Sequence, residues 1–253
     1  MSDGIISSAF ERLANTTGVN LSIFYDAFDR TRFLEGAALT IELSVLCILL
    51  SIVIGIIGAA LQASPFRLTN RLARAYVALF RNTPPVVQMF FFFFVLGGAL
   101  RFHESDGHVF QFSNFFWATI SLSFYYGSFN IEIFRAGLEA VPAQTIQAAE
   151  ALGYRRLQIL RHVFLPLAFR VSLPALGNNL VSLVKATSLA YAIAVPEITY
   201  VSSEIWSDHF NVAEMMTVLL VFYLAIIGLM VFSLRKLEVY LRIPGFHGGG
   251  TVT

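Results

Sequence analysis

Charge is what this chain has least of. Asp, Glu, Lys and Arg make up 13% of its 253 residues, against about 25% in soluble domains. The net charge is only +1, so no global field draws nucleic acid, and none is expected as a partner. A single cysteine, Cys47, excludes an intramolecular disulfide and reads as a small buried hydrophobe within an apolar run. The five histidines, His103, His108, His162, His209 and His247, fall in loops or the tail. No His, Cys or carboxylate set has metal-ligand spacing, so no metal site is expected and a membrane metalloenzyme is disfavoured. No Gly-x-x-x-x-Gly-Lys-Ser/Thr phosphate loop occurs, so no cofactor is expected on this chain and ATP hydrolysis would fall to another subunit. Short strands of alternating polarity, the mark of a membrane β-barrel, are also missing. Residues 1–35 lack a basic start, an apolar core and a small-residue cleavage site, so no cleavable signal is expected.

What is abundant is apolar. Hydrophobic residues make up 57% of the chain, 25 of them Phe, and mean hydropathy is +0.70. These values place the chain in the integral membrane class, in contact with a lipid bilayer. Five apolar segments emerge: 36–62, 76–100, 112–134, 171–195 and 211–234. Each has roughly the 20 residues that a helix needs to cross the hydrocarbon core. The expected fold is all-α with five transmembrane helices.

Orientation follows from the cations. One set of loops carries Arg67, Arg71, Arg74, Arg135, Arg155, Arg156, Arg161, Arg170, Arg235, Lys236 and Arg242. The opposite set carries Arg12, Arg30, Arg32 and Arg101, and the loop 196–210 has only acidic charge, at Glu197, Glu204 and Asp208. The basic loops are the cytoplasmic ones by the positive-inside rule. The N-terminus is then periplasmic and the C-terminus cytoplasmic, as an odd number of spans requires.

Three regions follow. Residues 1–35 form a periplasmic segment whose Leu21, Phe24, Tyr25 and Phe28 recur at helical spacing, as an interfacial helix or as an amphipathic lead-in to the first span. Residues 36–240 are the five-span domain, and 241–253 are a cytoplasmic tail that looks disordered. Asn15-Thr16-Thr17 matches a glycosylation acceptor, a pattern too short to weigh.

The cytoplasmic loop of about 136–166 is too long for a simple connector. Pro142 suits a first helical turn, and 143–152 is rich in helix formers, including Glu150. Gly153 is a natural left-handed stop. A second helix restarts at Arg155 with Leu157, Leu160 and Phe164 on one face, and Pro166 punctuates the entry to the fourth span. A short helix, a glycine elbow and a second helix on a membrane surface suit the docking of another protein.

That loop resembles the coupling motif of importer permeases of the ATP-binding-cassette class: Glu-Ala-Ala, three residues, Gly, nine residues, Ile-x-Leu-Pro. Ala148-Ala149, Gly153, Val163 and Leu165-Pro166 keep this register, while Gln147 stands at the usual Glu and Val163 at the usual Ile. The segment from Phe80 to Gln88 resembles the Arg-Gly-Thr-Pro…Gln segment of the polar amino acid branch, with Asn82 at the usual Gly. The segments 131–137, 174–178 and 183–190 resemble the same branch, so the resemblance covers roughly 36–240. It implies a type I importer permease fold in a bacterial inner membrane. It also implies the partners: an ATPase in two copies that holds ATP and Mg, a second permease (this chain or a paralogue), and a periplasmic solute-binding protein. The solute would be a polar amino acid or an opine, moved by alternating access. Gln147, Ala148, Ala149, Glu150, Gly153, Arg155 and Pro166 would couple the ATPase.

Polar residues within apolar spans are costly and therefore candidates for the solute pathway. Thr83 and Gln88 flank Pro84-Pro85, where a helix must be disturbed; they would face solute or bond neighbouring helices. Arg81 could snorkel to the cytoplasmic surface. Glu132 could meet a cationic solute or pair locally with Arg135. Lys185 lies about fourteen residues into the fourth span and needs a carboxylate partner, from Glu132 or from solute. Asn178 and Ser188 add hydrogen-bonding capacity on that span. An importer for another solute, and a secondary transporter or channel, are the competing readings; the latter would need no docking loop.

Overall fold

The computed structural model describes residues 3–100, 102–103 and 109–241. Among the described residues the main helices are α1 Asp3–Thr17, α2 Ala27–Gln62, α3 Arg67–Arg81, α4 Pro85–Ala99, α5 Asn114–Glu139, α6 Ala143–Ala151, α7 Arg156–Ile193, α8 Ile198–His209 and α9 Val212–Leu241. The all-α expectation needs one addition, a two-residue antiparallel pairing of Phe102–His103 with Val109–Phe110. The tail beyond Leu241, including His247, lies outside the described residues, as do Arg101, His108 and Arg242.

Three helices are long and apolar enough to cross a membrane, namely α2, α7 and α9, and the broken pair α3 and α4 makes four if counted as one span. Helix α5 has the length but not the hydropathy. Its Thr119, Ser121, Ser123, Ser128 and Asn130 are buried inside the protein. A helix with protein rather than lipid around its polar face need not be apolar throughout. Residues 27–35 are the opening turns of the same unbroken helix as the first span.

The chain divides into two compact units, and the division cuts α2, α5, α7 and α9. The first comprises residues 1–47, 84–122 and 183–228. Its core holds Ile23, Val201, Ile205 and Met215, with Phe33, Trp206 and Val218 packed on it. Gly36 lets α2 approach α8: a Cβ there would lie 3.2 Å from the Ile198 Cα. One turn on, Thr40 Oγ1 accepts the Ile198 N–H at 3.0 Å, capping an otherwise orphaned donor. The region read as the loop 196–210 is thus mostly α8, with Ile198, Val201, Ser202 and Ile205 buried.

The second unit comprises residues 48–83, 123–182 and 229–253. Here α2 meets α5 through Gly55 and Gly58; any Cβ on Gly58 would collide with the Ile131 side chain. Small residues allow this backbone proximity, as at membrane helix interfaces generally. A chain of amides joins the helices: Asn179 Nδ2 donates to Asn130 Oδ1 at 2.8 Å, and Asn130 Nδ2 donates to Ser51 Oγ at 3.2 Å.

Candidate functional site

In the second unit the motif of residues 142–166 folds as its spacing predicts. Pro142 leads into α6, and Gly153 takes φ +81°, the left-handed conformation that ends the helix. Its N–H donates to Glu150 O at 2.9 Å and that of Tyr154 to Ala149 O at 3.1 Å, which satisfies the last carbonyls of α6. Gln158 Oε1 accepts the Arg155 N–H at 2.8 Å and fixes the start of α7. Only Ala149 and Ile159 anchor this elbow inward. Gln147, Ala148, Glu150, Gly153 and Arg155 are exposed. So are Leu152 (78%), Leu157 (73%) and Tyr154. Apolar side chains this bare, rimmed by Glu150, Arg155, Arg156 and Arg161, form a patch of the kind that binds a partner.

Pro166 does not separate the elbow from the apolar run that follows it. A π turn over Leu160–Phe164 precedes it, and α7 runs through. The wider ring closure of a π turn accommodates a residue that lacks the N–H donor, so the helix is reshaped rather than broken.

Of the polar span residues, Glu132 is engaged locally. Its Oε2 accepts from Arg135 Nη2 at 2.8 Å and its Oε1 from Gln62 Nε2 at 3.2 Å. Arg135 also bonds Glu139 at 2.8 Å, and these two carboxylates raise the affinity of the guanidinium for its proton. Arg81 lies over the Phe129 ring, 5.0 Å from its centre. Thr83 donates back to Leu79 O at 2.9 Å, and Asn178 is exposed.

In the first unit, Lys185 and Ser188 come together. They line a cavity of about 270 Å³ with Leu220, Tyr223, Leu224 and Ile227. With Lys185, Leu220 and Leu224 exposed along it, this is an open recess slightly below the roughly 300 Å³ at which ligand sites generally begin. The backbone explains its shape. After Ala186, α7 tightens into a 3₁₀ stretch, Thr187–Ile193, that ends at Ala194 in the left-handed region, φ 56°. A non-glycine residue held there is strained. Asn114 Nδ2 donates to Ile193 O at 2.8 Å and satisfies one carbonyl that the break frees. The first turns of α4, which carry the buried Gln88, pack against this 3₁₀ stretch. Among the described residues Lys185 has no ion-pair partner.

Two residues that the sequence reading missed stand beside that cavity. Tyr223 projects from the middle of α9, and a phenol inside an apolar run was the available signal. Its hydroxyl lies 3.4 Å from Thr199 Oγ1 and 3.5 Å from Glu197 Oε2. Glu197, read from sequence as a charge in an external loop, is fully buried in the segment between α7 and α9. Its Oε1 caps α8 by accepting the Tyr200 N–H at 3.0 Å. Burial pushes its carboxyl up to about 7.

A second polar group joins α2 to α8. Arg32 Nη2 contacts Asp29 at 2.6 Å and Asp208 at 3.0 Å, and His209 Nε2 lies 2.7 Å from Asp29. Asp26, Asp29 and His209 approach as metal ligands could, a grouping that spacing along the chain did not reveal. Asp26 is already committed to the helix start, however, accepting the Phe28 N–H at 2.7 Å, and Asp29 to Arg32.

Comparison with known proteins agrees with this layout. Residues 51–238 match the family model described as a binding-protein-dependent transport system inner membrane component. The glutamine transport system permease protein of Escherichia coli is 32% identical over 83% of this chain and 93% of its own length. The histidine/lysine/arginine/ornithine transport system permease protein of the same species is 30% identical over 81% and 93%. The fold is shared with the structure of an amino acid ABC transporter with histidines, at a TM-score of 0.72, 22% identity, and coverage of 83% of this chain and 94% of that one. Matched along most of its length and bearing the exposed helical elbow, the chain belongs to the inner membrane components of binding-protein-dependent transport systems.

Proposed function

We infer that this chain is the membrane-spanning subunit of an ATP-driven importer for a polar amino acid. The observation that carries the reading is the elbow at Gly153, with Leu152, Tyr154 and Leu157 exposed around it in a chain of this family. Bare leucines on a cytoplasmic loop would be a liability unless a partner covered them. An ATPase docks on 143–165, in two copies on a pair of permeases, and supplies the hydrolysis that this chain does not. A periplasmic binding protein delivers the solute. The chain crosses the bacterial inner membrane five times, N-terminus outside and C-terminus inside, and the paired permeases alternate access between the two sides.

The solute class follows from the relatives, whose names specify glutamine and histidine/lysine/arginine/ornithine, and from the cavity chemistry. Lys185 meets the solute carboxylate, which replaces the ion-pair partner that the amine otherwise lacks. Ser188 adds a hydroxyl, and Gln88 lies on the helix packed against that turn. Thr83, Glu132 and Asn178 belong to the other unit and serve the pathway there.

Purification of the complex from its native host in mild detergent tests the reading. A nucleotide-binding ATPase should accompany the wild-type chain and be lost from Gly153→Trp. A chain that purifies without any ATPase would overturn it in favour of a secondary transporter or channel.

A further inference from the structure

We propose that Glu197 is a positioning residue for solute recognition: it holds the Tyr223 hydroxyl at the cavity that Lys185 and Ser188 line. The proposal rests on the reading of that cavity as solute-facing. Three observations carry it.

First, Tyr223 belongs to both environments. It lines the cavity, while its hydroxyl lies 3.5 Å from Glu197 Oε2 and 3.4 Å from Thr199 Oγ1. An aromatic ring on an apolar helix could turn its polar tip several ways; Glu197 at the start of α8, Thr199 within it and Thr187 on the 3₁₀ stretch fix which way it points.

Second, Glu197 is more than the helix start requires. Ser, Thr, Asp and Asn are the preferred capping residues because they are short. A glutamate there must be accommodated whole, and this one is completely buried with no cation within ion-pair distance among the described residues. Burying a carboxyl is costly unless its oxygens find partners. One oxygen caps Tyr200 N–H; Thr199 and Thr40 also bond the carboxyl, and Oε2 lies 3.5 Å from the Tyr223 hydroxyl, a reach that the extra methylenes supply.

Third, the segment joining the two is strained. Lys185 and Ser188 lead directly through the 3₁₀ stretch to the left-handed Ala194, three residues before Glu197. The turn brings Glu197 back toward α9, where Tyr223 sits. Strain of this kind persists where the surroundings over-determine it, and here the Asn114 bonds to Ile193 O and Ala194 O do so.

The test separates capping from positioning. Glu197→Ser keeps a good cap but is too short to reach Tyr223. Glu197→Asp, also a good cap, serves if the serine variant does not fold. The assay is equilibrium dialysis of labelled L-arginine or L-glutamine, whichever the wild-type complex imports, against the detergent-purified permease–ATPase complex without binding protein. Tyr223→Phe and either Glu197 variant should each weaken binding about fivefold, the scale of one lost hydrogen bond. The double variant should bind no more weakly than Tyr223→Phe alone, and the melting temperature of each variant is read beside its affinity, which tells a loss of fold from a loss of binding. Lys185→Met is the reference for the cavity. If Lys185→Met and Tyr223→Phe weaken binding and the Glu197 variants do not, Glu197 is a cap only and the proposal fails while the cavity reading stands. If Lys185→Met binds as wild type, the cavity reading fails and the proposal with it.

Discussion

Asn179 donates its side-chain amide to Asn130 Oδ1 at 2.8 Å, and through Asn130 this contact reaches Ser51. Three helices are tied by two hydrogen bonds deep in an apolar surround. Asn130→Ala would remove both bonds at once, leaving Asn179 with the Tyr126 carbonyl at 3.2 Å and Ser51 with Ile48 O at 3.0 Å, so the cost is that of two lost hydrogen bonds and a small void. We expect a loss of about 2 kcal/mol, read as a lower melting temperature of the purified complex. A melting temperature equal to wild type would show that water replaces the amide.

The contact between α2 and α5 has no room for a side chain at Gly58. Gly58→Val places its Cβ within the Ile131 side chain, and overpacking of this kind costs about 3 kcal/mol. Shortening the opposing residue, in Gly58→Ala with Ile131→Ala, should recover part of the loss; failure to recover any would place the strain elsewhere.

At Gly153 the constraint is dihedral and not spatial. Nothing lies within 4 Å of a Cβ built there, yet φ is +81°. Gly153→Ala should therefore cost about 1 kcal/mol through the left-handed backbone alone, and Gly153→Asn distinctly less. If the two variants retain the ATPase equally well, elbow geometry is not what the partner reads.

Leu152→Asp and Leu157→Asp alter exposed side chains, so stability should change by less than about 0.5 kcal/mol. ATPase recovered in pull-downs should nevertheless fall by about tenfold, as expected when an apolar anchor is replaced by a charge at a docking surface. Undiminished recovery would move the docking site off the elbow.

Glu197 gives stability a pH dependence. Its carboxyl is raised from 4.5 to about 7 in the folded chain. Between those values the native state holds a proton that the unfolded state has lost, so stability declines as pH rises from 4.5 through 7. The full difference is about 3 kcal/mol. Comparing wild type with Glu197→Gln removes the contribution of other groups: wild type should lose melting temperature relative to the variant across that window. Parallel curves would mean that the carboxyl titrates normally.

Much of this was legible beforehand, for reasons that differ by element. Helices α2 and α9 announce themselves as long apolar runs, and Pro142 and Gly153 punctuate the elbow at positions where only their backbone preferences fit. Helix α5 was legible by length, but its buried serines and asparagines serve neighbouring helices, a tertiary fact absent from its own hydropathy. The start of α8 was misread because Glu197 looks solvated when counted as charge; burial is decided by Thr40 and Tyr223, which are distant in sequence. The Asp29–Arg32–Asp208–His209 group eluded spacing rules for the same reason. Helix α1 was not anticipated at all.

The π turn at Leu160–Phe164 sets the phase of everything after it. Ile159 and Ala168 are both buried, yet they are nine residues apart. At about 100° per residue, nine residues of plain α-helix turn through about 180° beyond two full circles, placing the pair on opposite faces. One residue taken up by the wider turn reduces that offset to about 80°. The helix thus presents Ile159 inward for the elbow and Ala168, Ser172 and Leu176 inward for the membrane. Deleting a single residue between 160 and 164 would leave the composition of α7 almost untouched while rotating its membrane half by about a quarter of a turn against α5.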